Sequence, residues 1–292
     1  IGADDPRAIF GTTKGLRETF GPQRCFDTPL AEDCMTGVAI GMALAGMKPI
    51  HCHIRMDFML LAVDPIINQA ANWCYMFGGQ VGAPVVIRAV INRGGEQAAQ
   101  HSQALQAVFM HVPGLKVVMP STAYDAKGLL IAAVNDGNPV LYIDDRWLYG
   151  ETGEVPEEAY TVPIGTAAVR RKGRDLTIVA SSYMTLQAAR AAEVLAERGI
   201  DAELIDLRSI KPWDHDAVCT SVQKTGRLLI ADGAWHTGGV AAEIAATVAG
   251  EAFHYLSAPI VRVTLPDAPA PMSARLEEAY YPRLELVVSA AE

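Results

Sequence analysis

Glu32 is a carboxylate placed directly before an apolar stretch of small residues, in the segment DTPLAEDCMTGVAIG. The conservative interpretation is an acidic residue at a helix N-terminus, where the helix dipole favours negative charge. The alternative is a partly buried carboxylate that faces a ligand, because water would weaken the hydrogen bond that such a carboxylate makes. The pattern alone leaves both interpretations open.

His101 lies in AAQHSQALQA, after the glycine pair of NRGGEQ and before an apolar run, which places it where a loop meets a helix. It is either a polar residue near a helix start that Ser102 caps, or a group that transfers a proton at a site. Phe58, in RMDFMLLAVD, is a core residue on pattern alone.

Several common site motifs are absent from the sequence. No strand runs into GxGxxG, and the phosphate-loop lysine signature and the GxSxG serine elbow are missing. No HExxH or Cys/His set has metal-site spacing, and His51 and His53, which share one strand face, are weak evidence for a site. HTGGVAAE could present helix amides to an anion, although a glycine-rich helix start packed against a sheet is the commoner explanation.

The second half of the chain alternates short apolar strands with helices. Strands are expected in DLTIVASS, DAELIDLR, RLLIADGA and PIVRVTLP, and helices in LQAARAAEVLAERG, DHDAVCTSVQKTG and GVAAEIAATVAG. Gly199 and Gly226 suit the C-terminal caps of the first two helices. Strands separated by helices of about 10–15 residues predict right-handed crossovers and a parallel sheet.

The first half repeats this alternation. Helices are expected at 36–46, at about 64–77 and from Tyr124 to Val134, and strands in KPIHCHI, APVVIRAV, LKVVMP and PVLYID. A polar stretch without periodicity, YGETGEVPEEAYTVPIG, separates the halves. We therefore predict an α/β fold of two domains with mainly parallel sheets, residues 1–150 and 164–292, joined by a linker at 151–163.

Composition argues against several classes of protein. A net charge of −9 and a pI near 5.3 disfavour nucleic-acid binding, which calls for a basic face. No apolar stretch reaches the ~18 residues of a membrane span. The five cysteines, an odd number without a CxxC pair, are typical of reduced thiols, many of them buried, in a cytoplasmic protein.

Segments spread over nearly the whole chain, in order and with similar spacing, resemble the β subunit of thiamine-diphosphate-dependent 2-oxoacid dehydrogenases of the pyruvate, branched-chain and acetoin type. They are FGPQRCFDTPLAEDCMTGVAIGMALAGMKPI, DFMLLAVDPIINQAA, AAQHSQALQAVF, PGLKVVMPSTAYDAKGLLIAAVNDGNPVLY and LPDAPAPM. The resemblance implies a pyrimidine-binding domain followed by a transketolase C-terminal domain. It also implies that the helix and strand that normally precede GADDPRAIFG are absent.

The resemblance implies roles for the residues singled out above. Glu32 matches the glutamate that hydrogen-bonds N1′ of the cofactor's aminopyrimidine and favours the imino tautomer that removes the thiazolium C2 proton. Phe58 matches the aromatic residue stacked on the pyrimidine, and Ile54 also lies at the cofactor. His101 matches the active-site histidine that donates a proton or stabilises developing charge. The chain would then decarboxylate a 2-oxoacid and pass the acyl unit to a lipoyl group or another acceptor.

The diphosphate half of a thiamine site is missing from the sequence. Thiamine enzymes hold the diphosphate and Mg²⁺ with a GDG motif followed by an asparagine, whereas this chain has only NDGNP, a helix end and turn. The resemblance therefore implies an α subunit that supplies the diphosphate site and Mg²⁺, in an α2β2 assembly. It also implies that the chain is active only with this partner. The assembled enzyme would pass acyl units to a lipoyl acyltransferase component.

The turn in AAVNDGNP resembles a potassium-binding loop of the same family. In that loop the ion is held by backbone carbonyls, here those of Val85, Ala133, Val134, Asp136 and Asn138, and oxygen cages suit a hard cation. A turn used only as a helix C-cap would have the same sequence, so both interpretations remain open.

Departures from the family pattern bear on the substrate. HCHIRMDF stands where relatives carry an apolar or aromatic stretch, which places Arg55 and Asp57 close to the cofactor. We hypothesise that Arg55 pairs with a second carboxylate of an acidic substrate. The alternatives to a dehydrogenase are a two-subunit transketolase-like carboligase of a specialised pathway and a catalytically silent β-like assembly subunit.

Overall fold

The computed structural model describes residues 10–92 and 97–292. Residues 1–9 and the glycine pair of NRGGEQ lie outside the described residues. The expectation that a helix and a strand are absent ahead of GADDPRAIFG also falls outside the described residues.

The first sheet has five strands and carries the candidate site. Its strands are β1 (Ile50–His53), β2 (Val86–Ile91), β3 (Lys116–Val118), β4 (Val140–Asp145) and β8 (Ser209–Lys211), in the order β1-β2-β4-β3-β8. The first four are parallel, with Ile50 opposite Val86 and Val86 opposite Val140, and β8 is antiparallel to β3. Every residue of β2 is buried, as expected of a parallel strand covered on both faces.

The second sheet also has five strands. They are β5 (Ala168–Arg171), β6 (Leu176–Ala180), β7 (Ala202–Asp206), β9 (Leu228–Trp235) and β10 (Val261–Leu265), in the order β10-β9-β6-β7-β5. All neighbours are parallel except β5 and β7. The predicted fold class is confirmed, and the two short antiparallel edge strands, β5 and β8, were not predicted.

Helices cover both sheets. They are α1 (Leu16–Phe20), α2 (Glu32–Leu44), α3 (Met56–Met59), α4 (Asn72–Met76), α5 (Gln106–Met110), α6 (Ala123–Asn135), α7 (Tyr183–Glu197), α8 (His215–Thr225), α9 (Val240–Glu251), α10 (Ala274–Tyr280) and α11 (Leu284–Ala291). Short 3-10 turns occur at Leu60–Ala62, Ala99–His101, Arg146–Leu148 and Phe253–Tyr255, and a π-helical stretch at Pro65–Ala71. The helix expected at 36–46 begins four residues earlier, at Glu32, and the one expected at 64–77 is the π-helical stretch followed by α4.

The two sheets share one core and a polar interface. A single apolar cluster contains Ile87 of the first sheet and Ile205 of the second. Ser121 donates a hydrogen bond to the buried carboxylate of Asp206 at 2.9 Å. Strand β8 also crosses from the second half of the chain into the first sheet. No helix or strand interrupts residues 151–163, and we propose that the domain boundary lies there.

All five cysteines are free thiols, but only Cys219 is buried, and Cys34 is exposed. The expectation that many of them are buried is therefore wrong. None of the helices in the described residues is long and apolar enough to span a membrane.

Candidate active site

A cavity of about 380 Å³ lies between the start of α2, the end of β1 and α3. Its lining includes the four predicted catalytic and cofactor-binding residues, Glu32, Ile54, Phe58 and His101. These residues are distant in sequence, and the parallel packing of β1 and β2 beneath α2 and α3 brings them to one place. The remaining lining consists of residues 28–31, Met35, His51, Cys52, His53 and Arg55.

Glu32 is the first residue of α2 and is half-buried. Its carboxylate forms no hydrogen bond or ion pair with any of the described residues, and Ala31 before it caps the helix without a side-chain contact. The helix N-terminus favours a negative charge at this position. A carboxylate at a cavity wall that has no partner in the described part of the chain is available to a ligand.

His51 and His53 link the cavity floor to α2. The His53 Nε2 atom lies 3.3 Å from the hydroxyl of Thr36, one turn after Glu32, and the two imidazole rings meet edge to face at 4.6 Å. Burial lowers the pKa of His53 to about 3 and that of His51 to about 4, so both rings are neutral near pH 7. Nε2 of His51 is buried, and within the described residues it has no hydrogen-bond partner.

Phe58 presents its ring to the cavity. It is 40% exposed, whereas Met56 and Met59, its neighbours in α3, are completely buried. The ring contacts that of His101 edge to face, with 5.2 Å between centroids. The pattern-based expectation that Phe58 is a core residue is therefore wrong, and a flat apolar surface is open to a ligand.

His101 ends a 3-10 turn and is half-buried. The expected cap is not formed, because α5 begins only at Gln106 and its N-cap residue is Leu105. The hydroxyl of Ser102 is buried and, among the described residues, has no hydrogen-bond partner. The interpretation of Ser102 as a helix cap is therefore wrong.

Arg55 holds the loop that carries His101. Its Nη1 donates hydrogen bonds to the backbone carbonyls of Asn92, at 3.2 Å, and His101, at 3.3 Å. Its Nη2 donates to the side-chain carbonyl of Gln97. The guanidinium thus binds the chain on both sides of residues 93–96. Because the donors of Arg55 point to this loop, a role in positioning His101 is favoured over the expected pairing of Arg55 with a substrate.

The two residues after Arg55 hold the same loop further along. The Oδ1 atom of the buried Asp57 accepts hydrogen bonds from the backbone N–H of Gln103 at 3.1 Å and from its side-chain amide at 2.9 Å. The sulfur of Met56 accepts from the backbone N–H of Leu105 at 3.2 Å. The segment with the unusual sequence HCHIRMDF is therefore a support for the His101 loop.

Comparison with known proteins identifies the family. Residues 1–151 match the family model for the transketolase pyrimidine binding domain, and residues 165–287 match that for the transketolase C-terminal domain. The chain is 48% identical to the acetoin:2,6-dichlorophenolindophenol oxidoreductase subunit beta of Cupriavidus necator, over 97% of this chain and 83% of that one. The chain belongs to the family of acetoin and pyruvate dehydrogenase β subunits. The resemblance inferred from sequence is confirmed.

Other relatives give the same assignment. The Bacillus subtilis protein of the same name is 45% identical over 96% of this chain and 82% of its own. A pyruvate dehydrogenase E1 component subunit beta of Rhizobium meliloti is 44% identical over 98% of this chain and 62% of its own. Among solved structures, a split gene transketolase, described as an inactive beta4 tetramer, superimposes with a TM-score of 0.80 at 27% identity. The superimposed region covers 99% of this chain and 88% of the transketolase chain.

The cavity fits the pyrimidine half of thiamine diphosphate, the cofactor of this family. Glu32 offers a free acceptor for a ring nitrogen, Phe58 offers a flat face, and the buried Nε2 of His51 offers a further polar contact. The cavity does not fit a diphosphate. Its only Lys or Arg side chain within the described lining is Arg55, which is engaged with the His101 loop.

The turn expected to bind potassium is a helix C-cap in the structure. Ala133 and Val134 lie in the last turn of α6, and the carbonyl of Ala133 accepts a hydrogen bond from the N–H of Asp136 at 3.3 Å. The N–H of Asn138 donates to the Asp136 carboxylate at 3.0 Å. The carbonyl of Val85 accepts from the first N–H of β4 at 3.0 Å. Each carbonyl has a second lone pair, so the cap leaves an acceptor for an ion.

The turn is tightly packed against Gly82 and lies next to charged side chains. A Cβ atom on Gly82 would lie 2.0 Å from the carbonyl oxygen of Gly137, so only glycine fits there. Lys116 forms an ion pair with Asp136. The pair has no net charge, but its ammonium group lies next to the turn and would repel a bound potassium ion, whereas the Asp136 carboxylate would attract it.

A larger open groove of about 750 Å³ lies on the second domain, between α9 and residues 253–262. Alanines of α9 and the apolar side chains of Phe253, Leu256 and Ile260 line most of it. It contains neither a carboxylate nor a histidine. The chemistry-bearing residues of the described structure therefore favour the smaller cavity as the active site.

Proposed function

We propose that this chain is the β subunit of a thiamine-diphosphate-dependent dehydrogenase. The enzyme would break the bond next to the carbonyl of a 2-oxoacid or of acetoin and pass the acyl unit to a lipoyl group or another acceptor. The observation that supports this most strongly is the carboxylate of Glu32, which has no partner among the described residues and shares one cavity with the exposed ring of Phe58 and with His101.

Each residue of the cavity has a defined task in this proposal. When bound, the cofactor supplies a thiazolium carbon that adds to the substrate carbonyl and takes up electrons as the carbon–carbon bond breaks. Glu32 holds a proton at the pyrimidine ring nitrogen, in a half-buried position where water competes weakly. Phe58 and Ile54 fix the ring plane by apolar contact. His101 transfers a proton to or from the substrate oxygen.

The partner in this proposal is an α subunit with the diphosphate site and Mg²⁺, in an α2β2 assembly. Large exposed apolar side chains on the cavity lining and on the segments that follow α3 support an interface there, because exposed apolar clusters mark protein contacts. Leu30 is 76% exposed, Leu61 64% and Tyr75 90%, and α2 packs against the turns after α3. A lipoyl acyltransferase partner and a cytoplasmic location remain predictions.

A direct test compares the chain alone with the chain coexpressed with its α partner. Calorimetric titration with thiamine diphosphate and Mg²⁺ should give binding to the assembly and at least a hundredfold weaker binding to the isolated chain. Tight binding to the isolated chain would contradict the shared site. Activity on acetoin and on a panel of 2-oxoacids is then measured with an artificial electron acceptor.

Glu32→Gln in the assembly tests the catalytic assignment. It should lower kcat by about 10²-fold or more, because the amide cannot share a proton with the ring nitrogen in the same way. Asp33→Asn is the matched control, since Asp33 is the next acidic residue in the same helical turn but is exposed. Equal kcat values for the two variants would remove Glu32 from the mechanism.

Carboligation is the second candidate function, because the split gene transketolase has the same fold. The two functions differ in the acceptor of the acyl or ketol unit. Product formation with an aldehyde acceptor, in the absence of any electron acceptor, would favour the carboligase. Turnover that depends on an oxidant would favour the dehydrogenase.

The potassium site is part of the proposal and has a separate test. Val85, Ala133, Val134, Asp136 and Asn138 would supply the carbonyl oxygens, which suit a hard cation. The melting temperature should be higher in KCl than in NaCl at equal ionic strength. Equal melting temperatures would leave the turn as a helix cap alone.

A further inference from the structure

A second group of chemistry-bearing side chains lies on the other domain and shares no residue with the active-site cavity. His215 and Cys219 are four residues apart on α8, so their side chains share one helix face. Glu251, the last residue of α9, reaches the same place. One ligand atom from each of the three lies within 4.8 Å of the others.

One distance within this group is close to that between two ligands of one metal ion. The Cys219 sulfur lies 3.7 Å from Nε2 of His215. Around a tetrahedral zinc ion with ordinary bond lengths, sulfur, nitrogen and oxygen ligands are about 3.3–3.6 Å apart. Nε2 of His215 and a carboxylate oxygen of Glu251 are closer, at 2.5 Å. An ion between them would require the carboxylate of Glu251, whose side chain is 56% exposed, to lie about 1 Å further from the ring.

A fourth side chain orients the histidine. Nδ1 of His215 lies 3.1 Å from a carboxylate oxygen of Asp216, so this nitrogen donates the ring N–H and Nε2 is directed at Cys219 and Glu251. A carboxylate behind the histidine is the usual outer partner in zinc sites. Cys219 is buried, which limits the access of solvent oxidants to its thiol.

We propose that His215, Cys219 and Glu251 bind one zinc ion, with water as the fourth ligand. The thiolate and imidazole select zinc over magnesium or calcium, which prefer oxygen ligands. The ion would join α8 to the C-terminal end of α9, two helices that pack on the second sheet. Its effect is therefore on the stability of the second domain, because a ligand that binds only the folded state stabilises it.

The experiment uses the full chain, stripped with a chelator and titrated with Zn²⁺ against a chromophoric competitor. The expected result is one zinc per chain and a melting temperature several degrees higher with the ion. Substitution with Co²⁺ should give a near-ultraviolet thiolate-to-cobalt charge-transfer band. The absence of stoichiometric zinc, or a cobalt spectrum without that band, overturns the proposal.

Variants separate coordination from general folding effects. Cys219→Ser should remove the charge-transfer band and weaken zinc binding at least a hundredfold. Asp216→Asn should weaken it about tenfold, as outer partners of zinc ligands do. Glu243→Gln, an exposed residue two turns earlier on α9, should leave binding unchanged. If Cys219→Ser does not fold, Glu251→Gln at the half-exposed ligand replaces it, and full zinc binding by either variant refutes the site.

Discussion

The guanidinium of Arg55 donates a hydrogen bond to the backbone carbonyl of His101 at 3.3 Å. The same nitrogen also binds the carbonyl of Asn92. Arg55 is buried, and its planar guanidinium directs Nη1 at these two carbonyls and Nη2 at the side chain of Gln97, a geometry that a single ammonium cannot hold. The position of the proposed proton donor is thus set by a residue that the sequence suggested as a substrate ligand.

Arg55→Ala should lower kcat at least tenfold, because the His101 loop loses its anchor and two carbonyls are left without a donor. KM should change little, and the order of preference among acidic and neutral 2-oxoacids should stay the same. Steady-state kinetics of the assembled enzyme on both classes of substrate provide the measurement.

Arg55→Lys is the matched control, since it keeps the charge and one donor group. It should recover part of kcat. A selective loss of the acidic substrates in both variants would instead restore the substrate-binding hypothesis for Arg55.

Asp57 is expected to act as a hydrogen-bond acceptor and not as a charge. Both hydrogen bonds from Gln103 end on the same oxygen, and an asparagine carbonyl could accept both. Asp57→Asn should therefore remain close to wild type in kcat and in the free energy of unfolding. Asp57→Ala should cost about 1–3 kcal/mol of stability, because buried donors lose their partner. Denaturant unfolding of the two variants tests this, and similar losses in both would show that the charge matters.

The alternation of strands and helices was predictable because buried parallel strands and amphipathic helices have distinct periodicities. The confirmed elements include the long α6, α7 and β9 and also the short strands β1 and β3, which lie in apolar runs of the sequence. The edge strands β5 and β8 were missed because their segments, AVRR and SIK, are short and contain no apolar run. Their pairing depends on distant partners, as when Val117 faces Lys211 across the sheet.

The predicted site residues meet at one cavity, but their supports were not predictable. The segment HCHIRMDF departs from the family pattern, and its role depends on contacts with residues that lie 46 positions later in the chain. His53 is another example, since its partner Thr36 lies on α2. Hydrogen bonds between elements that are distant in sequence leave no local pattern. The wrong assignments of Phe58 as core and of Ser102 as cap have other causes, since the ring of Phe58 faces a cavity and α5 begins only at Gln106.

Stability should decrease in mild acid because His53 is buried as the neutral ring. Its pKa falls from 6.5 to about 3 in the folded state, so the unfolded chain binds the extra proton first. The stability present above pH 6.5 is then lost as the pH falls from 6.5 towards about 3. His53→Gln should lower the slope of the free energy of unfolding against pH by up to ~1.4 kcal/mol per pH unit.

Urea unfolding of wild type and His53→Gln, from about pH 7 to about pH 5, measures this difference. The variant is expected to be less stable than wild type at neutral pH, because Thr36 loses its ring partner, and the two curves should converge in acid. Parallel curves would mean that the protonation of His53 does not contribute to acid sensitivity.

Phe58 and Met59 are neighbours in α3 with opposite environments, one 40% exposed at the cavity and the other completely buried. Phe58→Ala should weaken thiamine diphosphate binding to the assembled enzyme about tenfold, through loss of a ring contact worth roughly 0.5–1.5 kcal/mol beyond its area. Its free energy of unfolding should change little. Met59→Ala should cost about 2–5 kcal/mol of stability, because it opens a cavity in the core. Calorimetric titration and denaturant unfolding of both variants separate the two roles. A Phe58→Ala protein that binds the cofactor normally but unfolds easily would assign Phe58 to the core after all.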